Sequence, residues 1–488
     1  MKTIFILLDS LNRHYLRSYG PSWVQTPNID RLARRGLVFD NHYSCSLPCM
    51  PARRDLYTGH AGFLETPWSP LQPWDDTLHA ELRRQRQTYS HLITDHYHYF
   101  HSGGEFYHVQ FDSWEFARGQ ERDVWRPLVD LPPPPPHLGK SQRGYWANRA
   151  FADTGNDEDY PTPQCFARAI EFLDANHNAD NWHLHLECFD PHEPFACPAH
   201  YRELYGDTWE GEHFDWPEYA PVSESPEAVE HIRKSYAGTL TMADAWLGRF
   251  LDRMDELNMW EDTAVLLSTD HGYLLGEHGY WAKNYMFDYE ELVHIPLIVC
   301  APGVGHGRVP ALTSALDLMP TFMELHRGEL PPNVQGRSLC HLLQGGGSHH
   351  DAVLFGYFGK DINLTDGRHS YCRQPLPGSF AYNHAAVLCT SPDPGRMGNP
   401  LHSREDLAGA EHGLFLPHTH GIPHLRLKVP SHRHHNAPDF NPVYDLEADP
   451  GQENPVRDGR LEEELAGKMR ELLKRYGAPE SEFRRVGL

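Results

Sequence analysis

Cys49-Met50-Pro51-Ala52-Arg53, continued as Arg54-Asp55-Leu56-Tyr57-Thr58-Gly59, is the part of this 488-residue chain best equipped for chemistry. Pro51 suits the first turn of a helix, which puts residue 49 at a helix N-terminus, where free N–H groups and the dipole favour negative charge. An anionic nucleophile belongs there. The competing reading is a buried free cysteine beside a Pro-capped helix. Four apolar runs elsewhere each stop abruptly at residues able to bind a metal or an anion. Thr3–Leu8 ends in Asp9, Tyr89–Thr94 in Asp95, His96 and His98, His183–Phe189 in Asp190 and His192, and Ala264–Thr269 in Asp270 and His271. Singly, such residues are more often turn or helix caps and surface side chains. Together they suggest one composite site.

The elements that must position these residues are short β-type runs and one long helix. In a mostly parallel α/β sheet, ligands bind beyond the carboxyl ends of the strands, so residues far apart in sequence converge on one edge. Between the third and fourth runs, Val229, Ile232, Tyr236, Leu240, Ala243, Leu247, Phe250, Leu251, Met254 and Leu257 repeat at helical spacing, which predicts a crossover helix over 226–260 that packs a core. Pro132 to Pro136 is a polyproline stretch, and Gly345-Gly346-Gly347-Ser348 reads as a flexible hinge. These place a boundary near residue 350, with domains at 1–350 and 351–488. The tail offers β-like segments at 353–358 and 369–373, a histidine-rich stretch from His412 to His435 that reads as a polar loop, and a final helix over 460–476. No internal repeat is visible.

Cys-x-Pro-x-Arg followed by Thr-Gly resembles the signature of type I sulfatases, within the alkaline phosphatase superfamily. There a maturation enzyme oxidises the cysteine to formylglycine, whose hydrated diol attacks sulfur with one oxygen and expels sulfate through the other. The resemblance implies that Cys49 is the nucleophile's precursor and that Arg53 holds the diol. It implies that Asp9, Asp270 and His271, together with residue 49, hold a divalent cation. The stretch Ser268 to Lys283 is similar to the family segment that ends in a substrate lysine, so Lys283 would grip a sulfate oxygen. Phe189-Asp190-Pro191-His192-Glu193-Pro194-Phe195 resembles the segment whose histidine protonates the departing alkoxide, which makes His192 the general-acid candidate. Thr94-Asp95-His96-Tyr97-His98 aligns with a stretch usually written Gly-Lys-Trp-His, so His96 and His98 would touch the sulfate. The resemblance runs from residue 3 to about residue 325 and resumes at Val443 to Pro450. It implies an alkaline-phosphatase-like α/β fold: a large mixed, mainly parallel sheet between helices, with a smaller C-terminal antiparallel sheet.

Two departures matter. Asp9-Ser10 stands where most sulfatases have two aspartates, leaving the place to Ser10, water or Asn12, and His96 replaces a lysine. Calcium is the family expectation, whereas fewer carboxylates plus an imidazole also suit manganese or magnesium. Phosphonate monoester and phosphodiester hydrolases share the motif and are the nearest rival; a catalytically inactive sulfate-ester binding protein is another. A transition-metal site built from His91, His96, His98, His101 and His108 is disfavoured by their irregular spacing.

Composition bounds the partners. Forty-three basic against 67 acidic side chains leave a net charge of −24, which argues against nucleic acid or an anionic membrane. An anionic substrate, a small-molecule or glycan sulfate ester, therefore needs a local positive trap. The apolar run after Met1 is too short for a signal peptide and reads as a buried first strand. Nine scattered cysteines without paired spacing predict reduced thiols and a cytoplasmic protein, with Cys45 in the core. The formylglycine-generating maturation enzyme is an expected partner, and the tail offers surface for a homo-oligomer.

Overall fold

The computed structural model describes residues 1–130, 133–140, 145–146, 155–388 and 402–488. The strands of the first two thirds of the chain are β1 (Lys2–Leu8), β2 (Leu37–Tyr43), β3 (Ser46–Leu47), β4 (Tyr89–Thr94), β5 (Ser113–Phe116), β6 (Trp182–Cys188) and β7 (Thr263–Ser268). They continue as β8 (Leu274–Leu275), β9 (Trp281–Ala282), β10 (Leu297–Cys300) and β11 (Gly307–Ser314). Eight of them form one sheet in the order β11-β2-β10-β7-β1-β6-β4-β5, in which only β10 runs against its neighbours. The registers Leu7↔Ser268, Leu8↔Cys188 and Thr94↔Glu187 bring the ends of β7, β1, β6 and β4 level. The four predicted runs are these four strands, shifted by at most one residue at each end, and the residues after them leave the sheet at one edge.

Alternation explains how the sheet is held. Ile4, Ile6 and Leu8 of β1 enter one core with Leu184, Leu186, Val265 and Leu267, while Phe5 and Leu7 enter the other with Leu92, Ala264 and Leu266. A strand buried on both faces needs an apolar layer on each. The first layer includes the long helix Pro226–Glu256, capped by the Ser225 hydroxyl, which accepts from Ala228 N at 3.3 Å. Its expected stripe is buried from Ile232 to Met254. The helix stops four residues earlier than predicted because Asn258 takes a left-handed conformation (φ 53°) that an α-helix cannot continue through.

The tail adds β12 (Val353–Tyr357), β13 (Ile362–Thr365), β14 (His369–Arg373), β15 (Phe380–Ala385), β16 (Glu411–Gly413), β17 (His424–Pro430) and β18 (Val443–Asp445). A five-stranded sheet runs β18-β14-β13-β12-β3, antiparallel except where β3 joins β12. Its apolar face packs Leu465, Met469 and Leu473 of the helix Gly459–Arg475, whose predicted span was 460–476. Since β3 ends two residues before Cys49, the small sheet is bonded directly to the segment that carries the nucleophile candidate. The histidine-rich stretch is not a polar loop throughout: β17 pairs with β15 on one side and β16 on the other in a separate antiparallel sheet, and His424 is buried. Buried Leu427 with half-buried Leu425 and Val429 gives β17 an apolar face that histidine counting alone overlooks. At the glycine hinge, Gly346 N donates to His341 O at 2.9 Å, closing a turn. Pro132 and Cys389 lie outside the described residues; the other eight cysteines are buried, Cys45 among them.

Candidate active site

Each residue type in the Cys49 segment has a separate mechanical task. The helix Cys49–Thr58 begins at Cys49, so its first N–H groups point at the strand-end edge. Asp55 anchors it, accepting from Ser46 N at 2.7 Å and Gly62 N at 2.9 Å, and Arg54 forms a two-pronged pair with Asp75 at 2.9 and 2.8 Å. Gly59 ends it in the left-handed region (φ 64°), where an added Cβ would come within 2.9 Å of Val334 Cγ1.

Arg53 points the other way, into the strand ends. Its guanidinium donates to Glu187 Oε1 at 2.6 Å, Asp270 Oδ2 at 2.6 Å, Asp9 Oδ2 at 2.7 Å and the Cys49 carbonyl at 3.0 Å. All four side chains are essentially inaccessible to solvent. A buried cation is tolerated only when its charge and donors are met, and this one faces three carboxylates. Arg53 thus reaches the nucleophile candidate through its backbone oxygen.

Cys49 Sγ lies 3.2 Å from His271 Nε2 and 3.5 Å from Lys283 Nζ. His271 sets its own tautomer: Nδ1 donates to Gly272 O at 2.8 Å, leaving the Nε2 lone pair toward Cys49. Burial, ahead of the opposing Asp270 charge, pushes the imidazole down to about 4, so it is neutral. Gly272 follows because a Cβ there would sit 1.9 Å from Glu291 O. Burial, followed by the Asp9 charge, pushes the Cys49 thiol well above its ordinary value, with Lys283 acting against them. Unmodified Cys49 is therefore a protonated thiol near neutral pH, a weak nucleophile.

Ser10 occupies the place of the missing aspartate. Its hydroxyl donates to Asp9 Oδ1 at 2.8 Å and accepts from Lys283 Nζ at 3.0 Å, joining the lysine to the carboxylate. It holds a left-handed backbone (φ 60°), pinned by Asp270 Oδ1 on its N–H and by Tyr236 on its carbonyl. Asn12 is committed elsewhere, donating to Tyr273 O and accepting from His14 N, both at 2.9 Å. One ligand atom each from Asp9, Cys49, Asp270 and His271 lie within 4.8 Å of one another. Two carboxylates beside a neutral imidazole with its lone pair turned inward fit a divalent cation, with the mixed oxygen and nitrogen donors the sequence suggested.

The remaining candidates line the same edge. His192 Nδ1 donates to Glu193 O at 2.6 Å, which leaves Nε2 free of that bond. His98 Nε2 is 3.3 Å from Glu121 Oε2, and burial, outweighing that carboxylate, takes it down to about 4. His96 is fully buried against Phe189, 3.9 Å from Asp9 Oδ2, with both ring nitrogens unpaired. Burial first, and then Arg53, hold it well below its ordinary value, so it does not supply the charge of the lysine it replaces. Asp95 faces the protein instead, accepting from Phe189 N at 2.7 Å and Thr162 Oγ1 at 3.1 Å. His91 is also apart from the edge, bonded to Ser113 Oγ at 2.6 Å.

Sequence reasoning missed Glu187 and Glu121. Glu187 had a signal: it is the acidic residue inside an otherwise strand-like run, on the same face as His183 and His185. Glu121 lies in a loop with no pattern to reveal it.

The family model for sulfatases matches residues 2–328. A choline-sulfatase of Rhizobium meliloti is 25% identical, covering 70% of this chain and 71% of its own length. An N-acetylglucosamine-6-O-sulfatase of Bacteroides thetaiotaomicron is 24% identical over the same shares, 70% and 71%. Among solved structures, an enzyme in complex with its substrate D-glucosamine-2-N,6-O-disulfate superposes with a TM-score of 0.68 at 17% identity, covering 97% of both chains. The phosphonate monoester hydrolase of Agrobacterium radiobacter gives 0.66 at 18% identity, covering 97% of this chain and 96% of its own. With its alkaline-phosphatase-like fold and the match over two thirds of its length, the chain belongs to the sulfatase family of enzymes, in the alkaline phosphatase superfamily.

Proposed function

We propose that this sulfatase cleaves sulfate monoesters with a formylglycine nucleophile made from Cys49, in a site that also holds a divalent cation, calcium. The observation that carries the reading is residue 49 itself: buried at a helix N-terminus, 3.2 Å from His271 and 3.5 Å from Lys283, with a thiol too basic to serve unmodified. Conversion by a maturation enzyme replaces that thiol with a hydrated aldehyde, whose hydroxyl can attack sulfur. A cation held by Asp9, residue 49, Asp270 and His271 would polarise the ester.

The chain's own groups supply the rest. Arg53 ties the first turn of its helix to three carboxylates and so sets the direction of attack. Lys283 presents a charge to the sulfate; burial works against that charge, but the carboxylates of Glu193, Asp9 and Asp270 favour it, and its pKa lies above the ordinary value. His96 and His98, neutral, offer N–H donors to sulfate oxygens. His192, with Nδ1 on a backbone carbonyl, turns Nε2 to the departing alkoxide as general acid. The substrate class is a small-molecule or glycan sulfate ester, in keeping with relatives named for choline and N-acetylglucosamine sulfates. We place the functional division near residue 350, the part before it carrying every residue named here.

Phosphodiester or phosphonate monoester hydrolysis is the second reading, since those esters also carry one negative charge at the reacting centre. A multifunctional alkaline phosphatase superfamily protein of Trinickia caryophylli, 26% identical, supports keeping it. Peptide mass spectrometry across Cys49, with turnover of an aryl sulfate and an aryl phosphodiester by one preparation, tests both. The expected result is a loss of about 18 Da at Cys49, the thiol-to-aldehyde change, with faster sulfate release. Faster diester cleavage would transfer the assignment to the second reading. An unmodified thiol in an active preparation would end the formylglycine mechanism, and metal analysis of that preparation tests calcium against manganese and magnesium.

A further inference from the structure

His183 and His185 lie two residues apart on β6 and therefore on one face, and His79, near the start of the helix Leu78–Arg86, packs against that face. Their relative exposures are 0% for His79, 0% for His183 and 2% for His185. One ring nitrogen from each lies within 4.8 Å of the other two, and the ring centroids are 5.5, 6.2 and 6.2 Å apart.

Both nitrogens of His79, Nε2 of His183 and Nε2 of His185 are buried without a hydrogen-bond partner. Buried polar atoms are normally satisfied, and a concentration of exceptions in one place calls for a ligand or an ordered molecule. The surroundings offer no substitute: Phe5, Tyr57, Phe111 and Phe322 pack around the three rings. Two other histidine groups show the contrast. His60 and His418 each meet Glu65 at 3.1 Å, and His350 meets Asp317 at 2.9 Å, so a carboxylate accounts for their burial. The trio has none of its own, because Glu187 Oε2 comes only to 3.7 Å of His185 and already accepts from Tyr99.

We infer that His79, His183 and His185 form a binding site for one nitrogen-preferring transition-metal ion, for which zinc(II) is the probe, behind the active site and distinct from the Asp9, Asp270 and His271 group. Three imidazoles at about 2.0–2.1 Å from a zinc ion place their ring centroids about 5–5.5 Å apart, so the rings need close by only about 1 Å or less. His183 is already oriented: its Nδ1 is 2.9 Å from Thr3 Oγ1, which is 2.7 Å from His326 Nε2, the kind of outer bond that fixes a metal-binding tautomer. Burial keeps His79 and His183 well below their ordinary value and takes His185 to about 3, so all three lone pairs are free of protons near neutral pH. No carboxylate enters the donor set, which sets its preference apart from that of the oxygen-rich active site.

The full-length chain, expressed with zinc supplementation and dialysed against chelator, tests the site through metal analysis and zinc-edge X-ray absorption. The expected result is one retained zinc per chain with a three-imidazole signature. It persists in Cys49→Ala and is lost in both His79→Gln and His185→Gln. Gln keeps most of the volume, and the two variants sit on different elements, so misfolding of one leaves the other to decide. No zinc above buffer in the wild-type protein, or zinc undiminished in the histidine variants, overturns the site whatever the enzyme's activity proves to be.

Discussion

Strand β6 carries two buried polar clusters of opposite character. At its carboxyl end, Glu187 shares Arg53 with Asp9 and Asp270, every charge facing an opposite one at 2.6–2.7 Å. Farther back on the same face, His183 and His185 meet His79 with no charge and four unpartnered nitrogens. The difference is electrostatic. Ions survive burial only in compensating sets, whereas imidazoles can be buried by giving up their protons. Mutation should therefore hurt the first cluster by stranding charges, and acid should hurt the second by forcing protons onto it.

The largest expected effect is on catalysis. Cys49→Ala should lower turnover by on the order of 10⁴-fold or more, with an unchanged urea midpoint, since no charge is stranded. Retention of more than about a tenth of the activity would remove residue 49 from the mechanism. Arg53→Met should cost about 3–5 kcal/mol in urea unfolding, because three carboxylates lose their common partner. A cost under about 1 kcal/mol would mean that the carboxylates find other compensation.

Acid separates the clusters further. The folded pKa values of the trio lie below the unfolded value, His185 at about 3, so the unfolded chain binds protons between about pH 6.5 and 3 that the folded chain refuses. Stability must then fall as pH drops through that window, by up to about 1.4 kcal/mol per pH unit for each histidine. Asp270 behaves oppositely in position: burial opposes its charge, but His271, Arg53 and Lys283 hold its folded pKa below 3.8, so its contribution is lost only at lower pH. The stability–pH slope between pH 6.5 and 4 should be shallower in His79→Gln/His185→Gln than in the wild type; equal slopes would sink the neutral-imidazole assignment. The smallest effect belongs to a neutral partner of the charged cluster. Tyr99→Phe removes the 2.7 Å bond to Glu187 and should cost about 1.5–3 kcal/mol, read by thermal unfolding, with activity falling less than in any Cys49 variant.

Much of this was legible in the chain. The strands ending at Leu8, Thr94, Cys188 and Ser268 were visible as apolar runs with polar stops, and the helix starting at Pro226 as a 3.6-residue stripe. Adjacency of Asp9, Asp270 and His271 followed from parallel strand ends meeting at one edge, and the resemblance to sulfatases added Cys49 to them. Asp95 sat in the same pattern yet faces inward, because its oxygens are taken by Phe189 N and Thr162. The β16–β17 hairpin escaped notice since histidine and proline mask its alternation.

Periodicity and motif spacing are local properties, so residue order alone was enough for the α/β class and the family. Partner choice across the sheet is not local. That Arg53 gathers Glu187 as well as the aspartates, that Ser10 bridges Asp9 to Lys283, and that His79 crosses from a helix to meet two histidines on β6 depended on packing between segments as much as 273 residues apart. Only the folded chain, where burial removes water as the competing partner, decides which polar groups must satisfy one another.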